Sequence, residues 1–284
     1  MNLVISIVIY HWNFEELQDC LQALSESLDE AQQGGLLKSG QLHLLYNGPL
    51  SLNVQEAEFN IASLFAWPFI LQSSVPNNGY GGTNNLVLKA VMANEQWTPE
   101  NSSILVLNPD VRVDKSAICR SLQRLSENQS YGLICPKIHE WDGRATASPG
   151  HKRYPSVAVL GARLLQPLKK LSVFRSLNRR YEYQDIDLES EYLGVVLCSG
   201  CFLMASGRFW QETGGFDECY FMYFEDFDLS LRGTAAGMIN VYDPEVVVYH
   251  AGGGAGKKSW QHQWWFIRSA VKFFGHHGWR WWQV

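Results

Sequence analysis

Apolar runs and amphipathic stretches alternate along the first 110 residues of the chain. Residues 3–9 form a continuous run rich in β-branched side chains, which is typical of a strand buried on both faces of a parallel sheet. Leucines then recur at positions 17, 21, 24 and 28, the spacing of one helix face. Further strands are predicted over 42–46, 65–71 and 104–107, with a helix after the glycines at 79–82. The alternation predicts an α/β domain with a mainly parallel central sheet flanked by helices.

The second half of the chain has a less regular pattern. It predicts a strand over 198–204, a helix that begins near Phe221, a strand over 246–249 and a helix over 259–274. Eight Lys or Arg residues and no Asp or Glu lie between 151 and 180, and six of the 11 tryptophans lie between 260 and 282. Both segments are therefore candidates for an interaction surface.

The composition excludes several classes of protein. With 46% hydrophobic and 18% charged residues, the 284-residue chain has enough apolar side chains for a core, which excludes a disordered protein. A net charge of −5 argues against a nucleic-acid partner. The apolar run 3–10 is shorter than the roughly 20 residues of a membrane span and lacks the flanks of a secretory signal. We therefore expect an intracellular globular protein.

Polar residues and glycines follow the predicted strands at their carboxyl ends, where α/β sheets bind ligands. This rule selects residues 10–13, 46–47, 77–85 and 108–110. The glycines at 79–82 lack the GxGxxG spacing of a dinucleotide site, which argues against a Rossmann dehydrogenase. They are expected to let a ligand approach the backbone closely, with Asn84 and Asn85 supplying amide hydrogen bonds.

Two separated segments offer ligands for a divalent cation. Asn108 and Asp110 follow a buried strand, and oxygen atoms at this spacing can bind Mg²⁺ or Mn²⁺. The alternative is a plain turn with proline at its second position. His250 ends a later strand beside several glycines, and a lone histidine is more often structural. Convergence of Asp110 and His250 on one ion would explain both residues.

Three acidic residues lie at the start of the predicted helix near Phe221. Glu225, Asp226 and Asp228 are flanked by aromatic side chains. One interpretation is helix capping, since the helix dipole stabilises carboxylates at this end. The other is a general base, because a carboxylate in a partly apolar cleft acquires a suitable pKa.

Cys198 and Cys201 have CxxC spacing, which is compatible with redox chemistry or with half a zinc site. No second pair with metal-ligand spacing accompanies them, and apolar residues flank them on both sides. We therefore favour simple packing within a buried strand.

Taken together, these segments resemble the inverting glycosyltransferase family 2, and within it the rhamnosyltransferase-like members. The resemblance extends in order from Ser6 to Gly254, and its most specific part is 200–250. The matching motifs are SIVI at 6–9 with Asn13, NxGYGGxNN at 77–85, LNPD at 107–110, GGFDE at 214–218, FEDxDLxxR at 224–232, Pro244 and His250.

The resemblance implies a GT-A fold and transfer of a sugar from a nucleotide diphosphate donor to an acceptor hydroxyl, with inversion. Asp226 matches the family's catalytic base, with Glu225, Asp228 and Arg232 binding the acceptor or supporting the base. Asp110 and His250 would bind Mg²⁺ or Mn²⁺, although Asn108 replaces the first aspartate of the family's DxD signature. The residues implied to bind the donor nucleotide are His11, Asn47, Asn77, Gly79, Gly82, Asn84, Asn85 and Asn108.

The family's second strand usually ends in an acidic residue that recognises the pyrimidine base, whereas Tyr46 and Asn47 stand here. Our first expectation is dTDP-rhamnose as donor, in the synthesis of an O-antigen or capsule-type surface polysaccharide. The alternatives are a UDP-linked galactofuranose or hexose, or a catalytically silent scaffold that binds nucleotide sugars.

The resemblance also suggests an organisation for the chain. We expect a GT-A domain over 1–255, with a nucleotide-binding half at 1–115 and an acceptor-binding half at 116–255, followed by a tryptophan-rich helical tail over 256–284. The acceptor is expected to be a glycan or a polyprenyl-diphosphate lipid. Basic residues of 151–180, interleaved with leucines, and Trp264, Trp265, Trp279, Trp281 and Trp282 would contact the cytoplasmic face of the inner membrane. The tryptophans could alternatively pack on the core or in a homodimer.

Overall fold

Strands and helices alternate through the first half of the protein, as the pattern predicts. The computed structural model describes residues 1–95, 97–144, 149–164, 171–187, 189–250 and 260–284. Its strands are β1 Asn2–Ile9, β2 Ser39–Tyr46, β3 Phe69–Gln72, β4 Ser102–Leu107, β5 Val111–Val113, β6 Tyr131–Glu140, β7 His151–Lys152, β8 Tyr192–Leu193, β9 Leu197–Cys198, β10 Phe202–Ser206 and β11 Ile239–His250. Its helices are α1 Phe14–Gln33, α2 Val54–Ala62, α3 Gly79–Met92, α4 Ala117–Glu127, α5 Val157–Leu164, α6 Ser172–Tyr181, α7 Gly207–Thr213, α8 Glu225–Ala235 and α9 Trp260–His277.

The central sheet is parallel on one side and mixed on the other. Strands β3, β2, β1 and β4 are parallel neighbours, so that Ile9 at the end of β1 pairs with Tyr46 at the end of β2. Beyond β4 the order continues with β10, β6, β11 and β5. β10 is antiparallel to both β4 and β6, whereas β11 is parallel to β6 and antiparallel to β5. The predicted parallel sheet therefore describes the amino-terminal half, and the second half adds antiparallel pairs.

Both faces of the sheet are buried, which explains the continuous apolar runs. Side chains alternate across a strand, and on β4 Leu105 faces one core cluster while Val106 faces another. The first cluster packs β1 and β2 against α1 and α4, and the second packs β4 and β10 against α3, α7 and α8. Each fully buried leucine of such a cluster contributes about 1.5–3 kcal/mol.

A third cluster fixes α9 to the rest of the protein. Phe273 and Phe274 pack with Tyr154, Tyr220 and Phe224, and Phe273 is fully buried. Residues after α9 continue along α5, where the backbone N–H of Val157 donates to the carbonyl of Arg280 over 2.8 Å. The carboxyl-terminal segment is therefore packed on the domain. None of the described helices is both long and apolar enough to cross a membrane.

Several predicted boundaries differ from the structure. The strand predicted over 65–71 begins at Phe69, because residues 63–65 instead close the end of α2 through hydrogen bonds to its last carbonyls. The strand predicted over 198–204 is two strands, β9 and β10, separated by a turn at 199–201. The helix expected near Phe221 begins at Glu225. The expected domain boundary at 255 and 256, the glycines at 252–254 and residues 165–170 of the basic segment lie outside the described residues.

Candidate active site

The carboxyl ends of β1 and β2 open into a cleft of about 520 Å³. Its inner wall is formed by residues that follow these strands and begin α3: Tyr10, His11, Asn47, Asn77, Gly79 and Tyr80. The structure thus brings together four of the residues expected to bind the nucleotide, namely His11, Asn47, Asn77 and Gly79. Their roles in binding remain predictions.

Gly79 is required where α3 meets the loop before α8. Its φ of +77° lies in the left-handed region, and a Cβ at this position would lie 1.9 Å from the carbonyl oxygen of Phe221. The next N–H, that of Tyr80, donates to the same carbonyl over 3.1 Å. This close backbone contact joins the cleft to the loop that precedes Asp226. Gly82 lies buried one turn later, with its α-carbon against the Asn78 side chain.

Asn47 has an amide orientation that its neighbours determine. Its Nδ2 donates to Thr83 Oγ1 over 3.1 Å and lies 3.4 Å from Asn77 Oδ1. Asn77 Oδ1 accepts the N–H of Gly79, which identifies this atom as the amide oxygen of Asn77. An oxygen atom pairs with a donor, so Asn47 must present its amino group, and not its own oxygen, to Asn77. Asn47 is 7% exposed, and its Oδ1 has no hydrogen-bond partner among the described residues. A buried, unsatisfied acceptor therefore lines the cleft.

Asn84 and Asn85 do not line the cleft, which corrects the expectation that they contact a ligand. Both are buried on α3, where Asn84 accepts from Ser6 Oγ over 2.6 Å and donates to the carbonyl of Tyr80 over 2.9 Å. Asn85 accepts from the N–H of Phe216 and donates to its carbonyl, each over 2.9 Å. Internal partners satisfy both amides, so these residues position α3 against β1 and the GGFDE turn.

The structure places Asp110 beside His250. His250 pairs with Val111 in the antiparallel contact of β11 with β5, and its Nε2 lies 3.2 Å from Asp110 Oδ2. The side chain of Asp110 is 26% exposed and that of His250 is 22% exposed, so a ligand can reach both. Asn108 lies at the start of the same turn, where its N–H donates to the carbonyl of Cys201 over 3.0 Å. The turn interpretation and the ligand interpretation are therefore compatible.

Asp226 occupies the second position of α8 and is held by backbone N–H groups. Its Oδ2 accepts from Gly200 over 2.7 Å, and its Oδ1 accepts from Phe227 over 2.9 Å. The Tyr80 hydroxyl donates to the carbonyl of Gly200 over 2.6 Å, which links the carboxylate to the wall of the cleft. The preceding residues Tyr223 and Phe224 both have a φ of +69°. Such left-handed non-glycine residues are strained and concentrate at functional sites.

Glu225 and Asp226 are adjacent carboxyl groups with different surroundings: Glu225 is buried and Asp226 is partly buried. Burial raises the pKa of Asp226, but the two N–H donors and the nearby charge of Lys152 favour its ionised form. Burial and the neighbouring Asp226 charge raise the pKa of Glu225 well above its usual value. Glu225 is 6% exposed, and its Oε2 has no partner in the part of the chain that the structure describes. These surroundings favour the charged form of Asp226 more than that of Glu225.

Asp228 and Arg232 form a structural clamp. Arg232 Nε donates to Asp228 Oδ2 over 2.7 Å, and its terminal nitrogens donate to the carbonyls of Thr213 and Gly215 over 2.6 and 2.8 Å. The other oxygen of Asp228 lies 2.8 Å from His277 Nε2 on α9. Of the two roles expected for these residues, these contacts favour support: they fix α8 relative to the GGFDE turn and to α9.

The cysteines behave as the packing interpretation predicts. All six are free thiols, and Cys198 and Cys201 are buried. Burial raises the pKa of Cys201 to about 11, which keeps the thiol protonated and unreactive at neutral pH.

One part of the cleft was not anticipated from the sequence. Its outer wall is formed by Gln261, His262 and Trp265 of α9, a helix whose tryptophans we expected to contact a membrane, the core or a second subunit. The only signal available was the helical spacing of these residues. Such spacing shows which side chains share a face of α9, but it does not show which element that face contacts.

Comparisons with known proteins support the motif-based resemblance. The chain is 31% identical over 180 residues to N-acetylglucosaminyl-diphospho-decaprenol L-rhamnosyltransferase of Mycobacterium tuberculosis, covering 61% of this chain and 56% of the relative. It is 24% identical over 176 residues to rhamnosyltransferase WbbL of Escherichia coli, covering 61% and 60%. The chain thus matches less than two thirds of either relative's length. No family profile matches it.

Solved structures confirm the GT-A fold. Mannosyltransferase PcManGT from Pyrobaculum calidifontis, in complex with GDP-Man and Mn²⁺, aligns with a TM-score of 0.58 at 11% identity and covers 96% of this chain and 63% of that one. GalNAc-T7 with UDP, GalNAc and Mn²⁺ aligns with a TM-score of 0.59 at 11% identity, covering 89% and 44%. The two named relatives are rhamnosyltransferases and confirm the resemblance to that group, whereas the structural neighbours show the fold.

Glu225→Gln is expected to stabilise the protein at alkaline pH. A carboxyl group with a pKa raised by folding contributes stability below its unfolded pKa, and this contribution is lost as the pH rises through its folded pKa. Glutamine resembles the protonated form at every pH. Urea denaturation should therefore show equal stability near about pH 5 and a gain of about 0.5–2 kcal/mol for the variant above about pH 8.

The exposed Glu58→Gln substitution on α2 is the control and should show no such pH dependence. A Glu225→Gln variant that is less stable than the wild type at both pH values would contradict the raised pKa of Glu225.

Proposed function

We propose that this chain is an inverting glycosyltransferase, which transfers a sugar from a nucleotide diphosphate donor to an acceptor hydroxyl. The observation that carries this proposal is the position of Asp226. Its carboxyl group is held by two backbone N–H groups and is connected through Gly200 and Tyr80 to a cleft large enough for a nucleotide. The GT-A fold and the relatives' names support the same reaction.

Asp226 acts in this reaction as the general base. It removes the proton of the acceptor hydroxyl while the acceptor oxygen forms a bond to the anomeric carbon and the bond to the nucleotide diphosphate breaks. One in-line displacement inverts the anomeric centre, so a single base on the acceptor side is sufficient. The N–H groups of Gly200 and Phe227 and the charge of Lys152 favour the ionised base, and the contacts of Asp228 with Arg232 and His277 keep α8 in place.

Asp110 and His250 are the residues that would hold a divalent cation. Their ligand atoms, 3.2 Å apart, have the separation of adjacent ligands around an ion with bonds of about 2.1 Å. The carboxylate suits Mg²⁺ or Mn²⁺, and the imidazole, a ligand typical of transition-metal ions, favours Mn²⁺ of the two. A bound cation would offset the charge that develops on the departing diphosphate. Structural neighbours crystallised with Mn²⁺ support divalent metal use.

The unsatisfied carbonyl of Asn47 fits a pyrimidine with an N3–H group. Thymine and uracil both offer this donor, whereas the N3 of cytosine is an acceptor. We therefore propose dTDP-rhamnose as the donor, because two relatives are named rhamnosyltransferases, with a UDP-sugar as the alternative that Asn47 equally accommodates.

An exposed apolar surface supports a lipid-linked acceptor at the cytoplasmic face of the inner membrane. On α9 this surface comprises Trp260, Trp264, Ile267 and Val271, and beyond it Trp279, Trp281 and Trp282, with exposures of 45–80%. Trp282 stacks on Phe174 of α6, which carries Arg175, Arg179 and Arg180. Tryptophans beside arginines suit an anionic membrane surface. We call these residues of α9, the carboxyl terminus and α6 the lipid face.

The lipid face lacks one of the tryptophans that were expected to contact the membrane. Trp265 was expected to contact the membrane, but it turns toward the cleft and packs on Phe221 with 5.0 Å between ring centroids. Trp260, Ile267 and Val271 take its place among the exposed residues of α9.

Asp226→Asn should lower turnover by about 10²–10⁴-fold while leaving nucleotide binding intact, because only proton removal is lost. The measurement is release of dTDP from dTDP-rhamnose in the presence of an N-acetylglucosaminyl-diphospho-lipid.

Wild-type turnover should also fall as the pH is lowered through the pKa of Asp226, which lies above its usual value. The exposed Asp142→Asn substitution is the control, and full activity in Asp226→Asn would exclude it as the base. A wild type that binds nucleotide but never turns over would favour the scaffold alternative.

Asp110→Asn should abolish the metal-dependent part of nucleotide binding. In a thermal-shift assay with Mn²⁺, dTDP or UDP at about 100 times its dissociation constant should stabilise the wild type by about 2.7 kcal/mol. The variant, and wild type treated with EDTA, should lose most of this stabilisation. Asp19→Asn, on α1, serves as the control. Equal stabilisation with and without metal would contradict a role for Asp110 and His250 as metal ligands.

Replacing Trp281 and Trp282 with serine should lower binding to phosphatidylglycerol vesicles by about tenfold in sedimentation, because two interfacial rings are lost. Phe59→Ser is the matched control, since Phe59 is 75% exposed on α2, outside the lipid face. If the face instead joins two copies of the chain, the wild type should elute as a dimer that does not bind vesicles. That result would overturn membrane contact.

A further inference from the structure

Helix α9 presents three different faces, and only two of them have been explained. One face, with Ser269 and Phe273, is buried against the domain, and another belongs to the lipid face. Because successive residues of a helix are rotated by about 100°, Gln261 and Trp265 lie on a third side, whereas His262 continues the stripe of Ser269 and Phe273 into the first turn of the helix. These three side chains face the cleft that contains Asn47 and His11.

The cleft side of α9 is held in a defined conformation. Ser269 Oγ donates to the carbonyl of Met222 over 2.9 Å, which fixes the helix to the loop before α8. Trp265 lies 5.0 Å from the ring of Phe221 and 5.0 Å from that of His262, measured between centroids. Phe221 is the residue whose carbonyl accepts the N–H of Tyr80. The outer and inner walls of the cleft are thus connected through Phe221.

His262 has one ring nitrogen bonded and the other available. Its Nδ1 shares a hydrogen bond of 3.0 Å with the Tyr223 hydroxyl. With the phenol as donor, the imidazole carries its proton on Nε2, for which the described residues provide no partner. That nitrogen can donate to a phosphate or ribose oxygen, and the flat Trp265 ring offers a surface on which a base or sugar can stack.

We infer that α9 forms the outer wall of the donor site, where Trp265 and His262 contact the nucleoside diphosphate part of the bound donor. This inference rests on the proposed function and adds to it two binding residues from a segment outside the inner, strand-end wall. It also assigns opposite roles to two neighbouring tryptophans. Trp264 contacts lipid and is 57% exposed, whereas Trp265 contacts the nucleotide.

The adjacent tryptophans provide a matched pair of variants. Trp265→Ala should weaken binding of dTDP or UDP, measured calorimetrically with Mn²⁺, by about tenfold or more through the loss of stacking. It should leave binding to phosphatidylglycerol vesicles unchanged. Trp264→Ala, a substitution of equal size on the same helix, should show the reverse pattern.

His262→Ala provides a second, less disruptive variant, because its ring is only partly buried. It should also weaken nucleotide binding by several-fold, and circular dichroism with thermal melting shows whether each variant remains folded. Wild-type affinity in both folded variants would overturn the inference while leaving the proposed function intact. Failure of the wild type itself to bind any nucleotide diphosphate would instead overturn the proposed function.

Discussion

The rest of the site depends on two neighbouring carboxyl groups, Asp226 and Glu225, whose surroundings differ. The N–H groups of Gly200 and Phe227 favour the charged form of Asp226, because they replace the water that it loses on folding. A Cβ at position 200 would lie at an ordinary contact distance of 3.4 Å from the carboxylate oxygen, so the feature of Gly200 that matters here is its backbone N–H. The same glycine accepts from Tyr80, so that the bond holding the base also aligns the wall of the cleft. Unsatisfied Glu225 and the left-handed Tyr223 and Phe224 show that this arrangement costs stability.

Parts of this architecture follow directly from the pattern of residues. Strands buried on both faces produce continuous apolar runs. This is why β1, β2 and β4 and their parallel direction could be predicted. Residues after such strands meet at one edge of the sheet, and this rule alone selected Tyr10, His11, Asn47 and Gly79. The contact of Asp110 with His250 was expected only as a condition for a shared ion, and β11 pairing with β5 supplies it.

Other parts could not be predicted, for identifiable physical reasons. A run of apolar residues carries no information on strand direction, so the antiparallel β10 and its turn at Gly200 were not foreseen. Asn84 and Asn85 lie on a helix buried on nearly every side, where amides must be satisfied internally. Their side chains therefore bind Ser6 and Phe216 rather than a ligand. The sequence shows which residues of α9 share a face. Which of these faces lies against the cleft depends on tertiary packing through Phe273 and Ser269.

The packing of α9 gives a physical reason for donor and membrane sites to share one helix. Its buried face, anchored by Phe273 and by the contact of His277 with Asp228, fixes the helix before any ligand arrives. A preformed wall avoids the entropy that would otherwise be lost when a flexible segment closes over a nucleotide. The same rigidity orients the outer tryptophans, so contact with a bilayer would set the position of the cleft relative to the lipid headgroups. A lipid-linked acceptor carries its diphosphate at that depth, and Arg175 and Arg179 of α6 lie on the same face to offset its charge. In the proposed arrangement the helix would hold donor and acceptor in one frame, which is the requirement for an in-line displacement at a membrane surface.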